Sequence, residues 1–246
     1  MRTSNPSLNS NTFTQVKSAE QSEVMTIQGT VNKSFILILC AGLTASIVWI
    51  QYFESFNGGM TFPLMVVGVI GGLIFALITI FKKIWSPITA PLYALFEGLF
   101  LGGISAYMEA MYPGIVVNAM ALTIGTFICL LMAYKSGVIR ATENFKLGIV
   151  AATGAIGLIY LVSFVMGFFG TSIPYIHESG WIGIGFSLFV VVIAAMNLVL
   201  DFDFIEEGSD KGAPKYMEWY AAFALLVTLV WLYIEILKLL AKLRRR

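Results

Sequence analysis

Four carboxylates stand where carboxylates are costly. Glu97 lies in the apolar run 94–103, Asp201 and Asp203 close the run that begins at Val190, and Glu235 sits between Ile234 and Ile236 in the run 231–240. An ionisable group in such surroundings must be paired, protonated or hydrated, so it is a functional candidate by default. Asn197 precedes Asp201 by four residues and shares its helical face, so the two form a polar stripe pointing one way. Asp203 is about 200° around a helix from Asp201. Asp201 is therefore the better candidate for an acid facing a bundle, and Asp203 reads equally as the solvated start of the acidic stretch Glu206–Glu207–Gly208–Ser209–Asp210. Glu235 has Lys238 three residues on, close enough for a local ion pair. Glu97, beside Gly98, is expected to point into the bundle; the plain alternative is a protonated acid bonded to neighbouring backbone.

Acids so placed could relay protons. They could bind a hard cation such as calcium, which takes several oxygen ligands, with Asp201, Asp203 and Glu235 as the ligand set. They could also share one proton across a carboxyl pair, a pH switch. No nucleophile elbow, phosphate loop or HExxH motif accompanies them, and the motifs of intramembrane aspartyl proteases are absent. No enzyme and no resident cofactor is indicated. The single His177 builds no multi-histidine metal site, and Cys40 and Cys129 lie in apolar runs where a thiol acts as a small hydrophobe. A net charge of +1 gives no footprint for nucleic acid.

The elements that position these groups follow from composition. Of 246 residues, 58% are hydrophobic and 12% charged, and the mean hydropathy is +0.85. Seven apolar runs approach or exceed the ~20 residues that cross a hydrocarbon core as a helix: 34–50, 61–81, 90–111, 114–134, 147–169, 181–200 and 217–241. Alternating segments of about 10 residues, the mark of a transmembrane barrel, do not occur. The expectation is an all-α membrane protein, a seven-helix bundle in one domain over 33–246. Residues 1–32, polar and aperiodic, read as a disordered tail, and no cleavable signal peptide is visible.

Loop charges orient the chain. Arg2, Lys17 and Lys33 precede the first span, Lys82 and Lys83 follow the second, and Lys135, Arg140 and Lys146 follow the fourth. The alternate loops, 51–60, 112–113 and 170–180, contain no Lys or Arg. This alternation places the N-terminus in the cytoplasm. The basic end Lys238 to Arg246 runs against it. Either the last element is broken or re-entrant, or it crosses and is outvoted; its length favours crossing. With 201–216 as a loop, a straight last helix would carry Glu235 about 27 Å past the level of Asp201. Gly68-x-x-x-Gly72 and Gly98-x-x-x-Gly102, continued by Ala106, read as close helix-packing seams.

Glu97–Gly98 with Gly102–Gly103, the run from Phe186 to Asp201–Phe202–Asp203–Phe204, and the string from Gly212–Ala213–Pro214 through Trp219–Tyr220 resemble the bacterial branch of the Bax inhibitor-1/YccA family. The likeness covers roughly residues 30–243. It implies a last helix surrounded by the other six. It also implies an acid at the end of the sixth helix and one in the last, together sensing pH in a calcium leak. Those acids fall on Asp201 or Asp203 and on Glu235, which is Glu where the family more often has Asp. A bacterial inner-membrane location follows, with the lipid bilayer, calcium and protons as partners. Some bacterial members are linked to a membrane protease, so the alternative is a non-transporting regulator with a protease partner.

Overall fold

Apolar runs of this length leave their backbone polar groups no partner but the run itself, and the result is helix. The computed structural model describes residues 24–54, 59–170 and 180–245. It contains α1 (Ile27–Glu54), α2 (Thr61–Phe81), a 3-10 turn (Lys83–Trp85), α3 (Ser86–Met111), α4 (Ile115–Lys135), α5 (Glu143–Phe168), α6 (Trp181–Asp210) and α7 (Met217–Arg244). All seven α-helices are long and apolar enough to cross a membrane. The chain is an all-α, multi-pass membrane protein.

Several boundaries differ from the sequence reading: α3 and α5 each begin four residues earlier, at Ser86 and Glu143, and two further differences bear on the site. α1 begins at Ile27, within the stretch read as tail. Just before it, Val24 forms an antiparallel bridge with Pro214, and Met25 donates its N–H to the Ala213 carbonyl at 2.7 Å. Residues 1–23 lie outside the described residues. The second difference is in α6, which runs to Asp210 instead of ending at Leu200. Asp203, Glu206, Glu207 and Asp210 fall on one helical face, and Lys211 pairs with Glu207. The helix stops where Gly212 takes φ +63, a conformation that suits glycine. α7 is continuous, in line with the crossing that its length favoured; it contains no Gly or Pro to break it.

α7 carries buried residues on all sides, from Glu218 through Leu225, Leu232 and Leu237. A helix apolar all round belongs in a core. It packs on α1, α3, α4 and α6. The last helix is therefore central, yet not ringed by all six others: α2 packs chiefly on α3, and α5 packs on α6. α3 is flanked by α1 and α2, and glycines let both approach. A Cβ on Gly98 would lie 2.2 Å from the Ala41 carbonyl oxygen of α1, and one on Gly68 of α2 would lie 2.7 Å from the Phe96 carbonyl oxygen. Neither position has room for a side chain.

Candidate functional site

α5 opens with an N-cap: the Thr142 side chain accepts from the Phe145 N–H, and Glu143 fills the first turn, where a carboxylate favours the helix N-terminus. From that start, Lys146, Thr153 and Tyr160 recur every seven residues and so share one face. Each meets a polar group. Lys146 Nζ pairs with Asp203 Oδ2 at 2.7 Å. Thr153 Oγ1 accepts from Asn197 Nδ2 at 2.8 Å. The Tyr160 hydroxyl donates to Glu235 Oε2 at 3.0 Å. Beside these rungs, Ile149 and Ile156 pack with Val190 and Ile193 of α6. The result is a polar seam, about 21 Å from first rung to last, along a helix that otherwise packs on α6.

Glu235 is 1% exposed. Its Oε1 accepts from Lys238 Nζ at 3.0 Å, and that ammonium also lies 5.0 Å from the centre of the Tyr160 ring. The local ion pair foreseen from spacing is present, with a tyrosine from another helix closing it. A cavity of about 430 Å³ adjoins the group.

Asp201 lies on the buried stripe of α6 that includes Ala194, Leu198 and Ile205. Its side-chain neighbour on α7 is the Thr228 hydroxyl. Oδ2 is buried and has no hydrogen-bond partner among the described residues. Asn197 and Asp201 share a side of α6 but reach different helices, α5 and α7. Spacing identified the face and left the partner open.

Asp201 and Glu235 do not meet. Thr228, level with Asp201, precedes Glu235 by seven residues, about 10 Å along the axis. The offset is smaller than the 27 Å expected from sequence because α6 continues through 201–210 and moves the turn. Asp203 is separate again, in its ion pair with Lys146, beside a surface recess of about 350 Å³ that includes Glu206, Glu207 and Asp210. The proposed calcium ligand set Asp201, Asp203 and Glu235 therefore does not converge, whereas calcium needs its oxygens within about 2.6 Å. Among the described residues no group of three acids, cysteines or histidines could hold a metal ion.

Glu97 points between helices: it faces α2, where a Cβ on Gly72 would lie 3.2 Å from its Oε2, with Tyr93 of its own helix beside it. It belongs to the α2–α3 seam, away from Asp201 and Glu235.

Two acids were missed. Glu218, 1% exposed, accepts from the Thr26 N–H at 3.0 Å and the Thr26 hydroxyl at 2.9 Å, and it pairs with Lys33. Its partners lie more than 180 residues away, so no local spacing signals them. Glu109 caps α4 by accepting from the backbone N–H groups of Gly114 and Val116; an acid shortly before a helix start was legible. Tyr160 was missed as well, although its seven-residue spacing from Thr153 and Lys146 could have revealed it.

A family model described as Bax inhibitor 1 like matches residues 5–245. No curated protein and no solved structure matches the chain.

Proposed function

The chain belongs to the Bax inhibitor 1-like family, and on that premise we propose that it is a pH-sensitive leak for calcium, or a calcium and proton pathway, in a bacterial cytoplasmic membrane with its N-terminus in the cytoplasm. The observation that carries this reading is two carboxylates set between the helices: Asp201, at the α6–α7 contact with an unpartnered buried oxygen, and Glu235 of α7, held by Tyr160 and Lys238. Calcium here is the transported ion, with no resident site.

The residues have separable roles. Lys146 and Asp203 close one end of the seam. Asn197 and Thr153 hold its middle. Asp201 is the proton-responsive group. A charged oxygen buried without a donor is costly, so protonation favours the packed, closed bundle. Deprotonation as pH rises loosens the contact between α6 and α7. Glu235 then offers a carboxylate about 10 Å further along. The two acids act in series instead of sharing one proton.

The test is calcium flux into liposomes holding only this protein, scanned from about pH 5 to pH 8. The expected result is flux that rises with pH in the wild type, loses its pH dependence in Asp201→Asn, and falls in Glu235→Gln. Equal flux in all three proteins would overturn the reading. So would no flux at any pH, which would favour a regulator that binds a membrane protease or another membrane partner.

A further inference from the structure

The cavity beside Glu235 has chemistry that an ion leak does not use. Its polar lining comes from three helices: Tyr160 and Ser163 of α5, Ser187 of α6, and Glu235, Lys238 and Lys242 of α7. Two ammonium groups thus face one carboxylate. Lys242 Nζ donates to the Gly183 carbonyl at 3.0 Å and to Ser187 Oγ at 2.8 Å, which fixes it against the first turns of α6. Because the Ser187 hydroxyl accepts from that ammonium, its own hydrogen turns away and can donate elsewhere. The volume, about 430 Å³, is room for roughly a dozen waters at about 30 Å³ each. That exceeds a bare ion and suits a polyatomic anion.

The surroundings indicate which anion. Lys238 and Lys242 are one turn apart on α7, and Arg244 and Arg245 follow. If α7 crosses, all four lie on the side whose loops 51–60, 112–113 and 170–180 contain no Lys or Arg. A basic helix end at a membrane interface meets phosphate groups. The side chain of Lys238 is 42% exposed and Lys242 is half-buried. Among the described residues α5 packs on α6 and has no substantial packing on α4, and Met108 of α3 completes the cavity's apolar lining with Phe186 and Ala241.

We propose that this cavity binds a phosphate group, held by the Lys238 and Lys242 ammonium groups with the Ser187 hydroxyl as a further donor. The site shares Lys238 with the Glu235 ion pair, yet phosphate binding needs no conduction and would persist in a protein that conducts nothing.

The experiment is native mass spectrometry of the full-length protein in detergent, titrated in parallel with phosphatidylglycerol and with diacylglycerol, which has the same tails and no phosphate. The wild type should retain phosphatidylglycerol in preference, with one tightly held molecule. The double variant Lys238→Gln/Lys242→Gln should retain it roughly tenfold less, the loss expected for charge-assisted hydrogen bonds. Lys238→Arg/Lys242→Arg, which keeps both charges, should retain most of the binding. Excess inorganic phosphate distinguishes the source: displacement of the lipid upholds a site for free phosphate, and no displacement upholds a lipid headgroup. Equal retention of the two lipids by the wild type, a comparison that needs no variant to fold, would overturn the proposal. Undiminished phosphatidylglycerol retention in the double glutamine variant would also overturn it.

Discussion

Tyr160 is the residue on which the seam turns. Its hydroxyl is the only donor that α5 supplies to Glu235 among the described contacts, and it reaches that carboxylate from a helix packed on α6. Replacing it with Phe keeps the ring under Lys238 and removes the donor. An unsatisfied buried acceptor costs about 1–3 kcal/mol, so Tyr160→Phe should lower unfolding stability in detergent by that amount, read as a shift in the denaturation midpoint. The acids themselves were legible because an ionisable group in an apolar run cannot be overlooked. Their partners were not. Asp203 finds Lys146 and Glu235 finds Tyr160 on a helix more than 40 residues distant in sequence, and the register that joins them is set by tertiary packing. Glu97 shows the same limit: Gly98 does mark a packing seam, toward α1, while the acid one residue earlier turns to α2.

At the scale of elements, α5 and α7 are opposites. α7 is covered by four helices, whereas α5 rests on α6 and is tied by three polar rungs. Few packed neighbours mean cheap local opening. Amide hydrogen exchange should therefore be faster across α5 than across α7. The triple variant Lys146→Ala/Thr153→Ala/Tyr160→Phe should raise exchange in α5 several-fold while leaving α7 unchanged, as measured by exchange mass spectrometry; equal acceleration in both helices would count against α5 as a separate unit. Helix number and type were legible from run length, and α2 spans the same residues in sequence and structure. The end of α6 was not, because its acids suggested a loop. Their spacing of three and four residues already fitted a solvated helical face, and the hydropathy drop concealed it.

At the scale of the whole molecule, the stretch before α1 and the turn before α7 are fastened together. Val24 and Met25 meet Ala213 and Pro214, and the Glu218 carboxylate gathers Thr26 and Lys33. Removing one partner of a buried ion pair costs about 3–5 kcal/mol. The Lys33 side chain is 18% exposed, so the lower end of that range is expected for Lys33→Ala, read by thermal unfolding in detergent. Deletion of residues 1–23 keeps Val24, Met25, Thr26 and Lys33 in place, which makes it the probe of a tail-dependent role. A central last helix followed from resemblance alone. Composition could not have shown it, because every span is apolar and burial inside a bundle looks the same as burial in lipid.

The position of α7 has a further consequence for biogenesis. The innermost helix is synthesised after the six that enclose it or lie outside it. As the nascent chain enters the bilayer, α1 and α3 can already associate through Gly98 and Gly102, and α4 and α6 can meet through Phe127 and Phe202, but the helix that packs on all four is missing until Met217–Arg244 leaves the ribosome. The bundle therefore exists for a time as a shell without an axis. Its completion is a post-insertion event, and the Lys33–Glu218 contact joins the earliest helix delivered to the one that arrives after all the others.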